Sequence, residues 1–201
     1  MSAVLDEPAL FKGANQALKF AFGESAVYGP SAIAQLMGRV RSGNGHGLVG
    51  IDRSSQAGMI LDIVSRQIDT LHWWILVCRC APRYKTCECG ARCCSGKIPN
   101  MQWDEGIGHL VLGSLAEFAG MVTARGLREQ LIKAHFGVHV DSQAIIAKKY
   151  DVNRDTVASY ALKIRQWLYG DSPTKKNARK GEEARAWASA EEILLETGII
   201  D

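Results

Sequence analysis

All six cysteines of this chain fall within seventeen consecutive positions, as Cys78-Arg-Cys80, Cys87-Glu-Cys89 and Cys93-Cys94, with Pro82 and Gly90 interleaved and Gly96 close behind. Thiolates placed two apart, with a six-residue loop between the pairs, can surround one tetrahedral Zn²⁺. Its soft, closed coordination suits a small loop that has no core of its own. The expected ligands are Cys78, Cys80, Cys87 and Cys89, with Cys93 or Cys94 as substitutes. Disulfides fit less well, because nothing marks the chain as secreted and a vicinal Cys93–Cys94 bridge is strained. A catalytic thiol would need a nearby base and a reason for low pKa, and five companion thiols argue against singling one out. An iron–sulfur cluster does not match the usual ferredoxin spacings. Arg79, Arg83, Lys85 and Arg92 lie among the thiols and Lys97 just after them, so the segment is expected to form a basic knob.

On both sides of this segment the apolar residues recur at helical spacing. Leu10, Phe11, Ala14, Ala17, Leu18 and Ala21 predict a helix over Ala9–Phe22 that Gly23 ends. Ile33, Leu36, Met37 and Val40 predict a second over Ser31–Arg41, begun after Gly29-Pro30 and docked on the core. A central helix is expected from Ser54 to Val77, carrying Met59, Ile60, Ile63, Val64, Ile68, Leu71, Trp74 and Ile75. Further helices are read over Asp104–Thr123, from Leu127 to Phe136, and over Glu182–Glu196. No period-two alternation of any length occurs, so the fold class is mainly α: a helical bundle with an inserted cysteine-rich loop.

The stretch Ser142–Trp167 reads as two helices joined by a tight turn, a helix-turn-helix pattern. Asp141 or Ser142 can cap the first helix, Ile145 and Ile146 supply its apolar face, and Ala147 allows a close crossing. Asp151 stands in the turn where glycine is usual, and Asp tolerates a left-handed backbone better than most residues. Asn153 caps the second helix, whose Val157, Ala161, Ile164 and Leu168 form one buried stripe. The opposite face, with Arg154, Asp155, Thr156, Ser159, Tyr160 and Lys163, can donate to base edges or phosphates of double-stranded DNA. The competing reading is an αα-hairpin whose polar residues are merely solvated.

Charge supports the first reading. Residues 121–180 hold twelve Lys/Arg against five Asp/Glu, whereas residues 181–201 hold one Arg against six acidic residues. Basic residues gathered around the helix pair are what counterion displacement from a duplex requires. The loop Ser42-Gly-Asn-Gly-His-Gly47 has no Gly-Lys-Ser/Thr after it and so is not a phosphate-binding loop. The histidines are scattered, with no Asp/Glu/His cluster of metal-catalyst spacing, which argues against an enzyme. No run of eighteen apolar residues exists, and Met1–Glu7 lacks a basic segment followed by a hydrophobic one, so a cytoplasmic protein is expected.

These features divide the chain into a helical region at 1–50, a helical core at 51–77 and 98–170 that contains the helix-turn-helix, a zinc-binding loop at 78–97, and a basic linker with a final helix at 171–201. The cysteine loop after a buried helix, then Leu131-Ile-Lys-Ala-His-Phe-Gly137, then Ile146–Tyr160 leading to Trp167-Leu168, resembles the bacteriophage late antitermination protein Q group. The likeness is one of pattern and spans roughly residues 53–168. It implies a phage protein that binds DNA at a late promoter, engages bacterial RNA polymerase, with or without its sigma factor, and lets it read through terminators. DNA contact would then fall to Arg154–Lys163 and zinc to the cysteine loop. The acidic final helix and the C-x-C pairs, where some relatives have C-x-x-C, depart from the pattern. The alternative function is a conventional helix-turn-helix repressor or activator with a structural zinc site.

Overall fold

The computed structural model describes residues 10–28, 51–87, 89, 95–171 and 178–201. The predicted helix at Ser31–Arg41 and the loop at 42–47 lie outside the described residues. The described chain is mainly helical, with α1 (Ala14–Tyr28), α2 (Ile51–Gln67), α3 (Thr70–Cys80), α4 (Met101–Gly113), α5 (Arg125–His135), α6 (Gln143–Lys149), α7 (Arg154–Tyr169) and α8 (Glu182–Glu196). A two-stranded antiparallel sheet, β1 (Tyr84–Thr86) with β2 (Lys97–Pro99), lies between α3 and α4. No helix among the described residues is long and apolar enough to cross a membrane.

The expected single helix Ser54–Val77 is two helices, because Asp69 interrupts it. The Asp69 carboxylate accepts from the backbone N–H groups of Leu71 (2.8 Å) and His72 (3.4 Å), and so satisfies donors that a new helix start leaves open. The helix read over Asp104–Thr123 begins earlier, at Met101, and ends at Gly113 in a 3-10 segment, Ser114–Phe118. Three-residue strands are too short for alternation to reveal them, which is why the sequence pattern predicts no sheet.

The chain divides into two units, and the first of its crossings between them falls between Ile68 and Asp69, where the expected helix is interrupted. Unit 1 takes residues 10–28 and 51–68, the cysteine segment from Cys80 to Asn100, and the chain from Trp187 to Asp201. In it α1 packs along α2, with Leu18, Ala21, Phe22, Ile60 and Val64 buried on their facing sides. Arg53 pairs with Glu24 and lies 5.5 Å from the centroid of the Phe20 ring. Phe11 forms an isolated parallel bridge with Ile200.

Unit 2 comprises Asp69–Arg79 and Met101–Ala186. Here α4 packs on α5, α5 on α7, and α6 on α7, while the 3-10 segment touches both α4 and α7. Ile107, Leu110, Leu127, Ile132, Ile146, Ile164 and Leu168 are among its fully buried side chains. Each such aliphatic residue contributes roughly 1.5–3 kcal/mol relative to exposure.

Candidate nucleic-acid interface and cysteine segment

In unit 2, α6 and α7 are joined by the four residues 150–153. Ser142 caps α6, its hydroxyl accepting from the Ile145 N–H. Asn153 caps α7, its side-chain oxygen accepting from the Asp155 N–H at 2.9 Å. Asp151 takes the left-handed conformation expected of it, with φ of 50°, and the turn is closed by Val152 N–H donating to Ala147 O at 3.0 Å. Gly126 on α5 permits this turn to dock: a Cβ there would stand 2.7 Å from the Tyr150 hydroxyl. Lys149 lies 5.6 Å from the centroid of the same Tyr150 ring.

The burial of these helices differs from expectation in two places. Ile146 and Ala147 are buried, but Ile145 is 55% exposed and belongs to the solvent side of α6. On α7 Val157, Ile164 and Leu168 are buried as expected, joined by Trp167, while Ala161 is half-buried. The predicted contact face is therefore only partly the exposed one. Arg154, Asp155 and Ser159 are exposed, whereas Thr156, Tyr160 and Lys163 are half-buried at its margin. Tyr160 packs edge-on against Phe118 with ring centroids 5.2 Å apart, so its ring serves to seat α7 on the 3-10 segment. The solvent sector includes Arg154, Asp155, Ala158, Ser159, Leu162, Arg165 and Gln166. Arg154 and Arg165 form no ion pair with any described residue.

Two residues that position this surface carried no functional signal in the sequence. Phe118 is buried between elements, and Arg128 on α5 lies 6.0 Å from its ring centroid. Arg128 donates to the Thr123 carbonyl at 3.1 Å and to the Thr123 hydroxyl, which ties the end of the 3-10 region to α5. The link Arg128–Phe118–Tyr160 thus fixes the rotation of α7 about its axis.

Cys78 belongs to unit 2 and Cys80, Cys87 and Cys89 to unit 1. Cys78 is only 6% exposed. Its Sγ points at the Trp103 carbonyl, 3.9 Å away, and the Trp103 indole N–H donates to the Cys78 carbonyl at 3.1 Å. Gly106 is required beside it, since a Cβ there would come within 2.9 Å of the sulfur. Burial pushes this thiol well above its ordinary pKa, with Arg79 opposing the rise and the Asp104 charge adding to it. The Cys78 side chain is thus packed among Trp103, Gly106 and Trp74.

Cys80 is half-buried at the end of α3, Cys87 half-buried after β1, and Cys89 exposed. The hairpin is closed by Cys87 N–H to Gly96 O at 2.9 Å, and Asn100 anchors its base through Pro82 O at 2.7 Å. Among the described residues no three His, Cys, Asp or Glu side chains form a group that could hold a metal ion. The substitutes Cys93 and Cys94 lie outside the described residues.

Arg79 is also not a cation of an exposed knob. In unit 2 it donates to Glu183 (2.6 Å) and to the Tyr169 hydroxyl (3.2 Å), is 3.1 Å from His135 Nε2, and stacks 4.5 Å from the Phe136 ring centroid. Burial alone would raise the Glu183 carboxyl, but hydrogen bonds and charge from His135 and Arg79 outweigh it and hold the group below its ordinary value. This network ties the first turn of α8 to α3, α5 and α7. No family model, curated protein or solved structure matches the chain.

Proposed function

We propose that the chain is a transcription antiterminator of the phage late type, which docks on promoter DNA through α6–α7 as a helix-turn-helix and engages bacterial RNA polymerase in the host cytoplasm. The observation that carries the reading is the solvent sector of α7. It starts at a capped helix end, presents Arg154, Ser159 and Arg165 outward, and leaves both arginines without an acidic partner among the described residues. The N-terminal turns of such a helix fit the major groove, and unpaired arginines suit guanine edges and phosphates. Lys148 and Lys149, at the end of α6, extend the cationic footprint toward the backbone.

The cysteine segment acts in this reading as a structural module holding Zn²⁺ through loop thiols that include Cys80, Cys87 and Cys89. Cys78 is a packing residue of the helical unit. The zinc would supply the folding energy that a three-residue hairpin with exposed strands lacks.

Read-through transcription tests the function. Polymerase started at a promoter bearing the chain's DNA site should pass an intrinsic terminator placed far downstream, beyond reach of a protein that stays on its operator. Termination unchanged while the site is demonstrably occupied would contradict antitermination and favour the repressor or activator reading.

A further inference from the structure

We infer that Leu162, with Ala158, reads the 5-methyl group of thymine in the DNA site, an inference that rests on the DNA-binding reading above. Successive helix residues turn by ~100°, so Arg154 and Arg165 fall near one edge of the exposed sector of α7 and Ser159 and Gln166 near the other. Ala158 and Leu162, four residues apart, stand in the middle. Leu162 is 54% exposed although the neighbouring Ala161 and Ile164 are partly or fully covered.

An isolated exposed leucine is ordinary. Leu162 is set apart by its position, because the residue at the centre of a recognition surface is the one most completely desolvated on docking. A polar residue there would have to find a partner on a base edge. An apolar one gains only where the groove offers an apolar group, and the thymine methyl is the one such group in the major groove of unmodified DNA. The charges fit the same docking: Arg154 and Arg165 line one side of the apolar strip, while the single acidic residue of the sector, Asp155, sits in the first turn beside the capping Asn153. Asp155 disfavours phosphate and favours a base-edge amino group. The helix thus combines a guanine- or phosphate-directed edge with a methyl-directed centre.

The test uses the full chain and a pool of random-core duplexes. Sequences enriched by binding are resynthesised with deoxyuridine in place of each thymidine in turn, which removes one methyl group and leaves every hydrogen-bonding edge intact. At one or two positions the exchange should weaken binding about fourfold, corresponding to ~0.8 kcal/mol for one buried methyl group at ~1.36 kcal/mol per tenfold. Leu162→Ala should weaken binding to the thymine duplex and erase the thymine–uracil difference, whereas Arg154→Ala should weaken both duplexes and preserve it. Because Leu162 is exposed, its variant is expected to keep the parent's circular dichroism. Equal binding of thymine and uracil duplexes at every position overturns the inference while leaving DNA binding intact. Absence of any enriched sequence overturns the DNA-binding reading and the inference together.

Discussion

The α6–α7 pair and the cysteine segment, the two stretches from which function is read, are held together by opposite means. The helix pair satisfies its own ends with Ser142 and Asn153 and buries Ile146, Val157, Ile164 and Leu168. The cysteine segment has strands whose six residues are all exposed or half-buried, and it is joined to its base by hydrogen bonds at Asn100 and Cys87. One region is stabilised from within its sequence. The other buries little in its two strands, and it is the region proposed above to hold zinc.

The sharpest way to break this comparison is to remove apolar volume from both. Ile146, 1% exposed, should cost roughly 2–5 kcal/mol of unfolding free energy when truncated to Ala, as buried aliphatic residues do. Ile98, 41% exposed on β2, should cost less than about 0.5 kcal/mol. Urea unfolding of the two variants checks the difference, and similar losses would mean that the hairpin has a core of its own.

Metal removal should act the other way round. Chelation, or Cys87→Ser, is expected to release about one equivalent of zinc and to abolish amide protection in 80–100 while leaving the helical circular dichroism of unit 2 in place. Cys78→Ser should keep the zinc and instead destabilise, since it puts a hydroxyl in an apolar site beside Trp103. Zinc lost from Cys78→Ser and retained by Cys87→Ser would reverse the assignment.

A smaller effect is expected at the helix caps. Asn153→Ala should cost ~1 kcal/mol, visible as a shift of the urea midpoint with unchanged slope, and it should reduce duplex binding by loosening the start of α7. Acid gives the smallest and most confined change. The Glu183 carboxyl is depressed in the folded chain, so its contribution is complete above the unfolded value of ~4.3 and is lost as pH falls through the lower folded value. Glu183→Gln should flatten that acid limb of the stability curve of unit 2.

The same contrast explains what could be read from the sequence. The caps, the turn at Asp151 and the stripe Val157–Ile164–Leu168 were legible because burial in a helix imposes a period of 3.6 residues and the chain meets that demand locally. The rotation of α7 was legible only in part. Tyr160 has the same polar hydroxyl whether it faces a base or stacks on Phe118, and the deciding partner comes from a distant segment of the chain. Ala158 and Leu162 gave no signal because apolar residues are read as core. Asp69 ended a helix in mid-pattern through a local hydrogen bond that outweighs apolar periodicity. Thiol spacing alone does not tell how deeply each sulfur is buried: Cys78 and Cys80 are two residues apart in sequence, yet Cys78 is buried and Cys80 only half-buried.

The central claim is that the solvent sector of α7 is the DNA-binding surface, and duplex binding measured across a salt series tests it most directly. Arg154→Ala and Arg165→Ala, each with the parent's circular dichroism, should weaken binding, by about 1–3 kcal/mol where the arginine reads a base. Where the arginine instead pairs with a phosphate, its removal should lower the slope of log K against log salt by about one. Binding equal to that of the parent at every salt concentration, with both arginines removed together, would contradict the account.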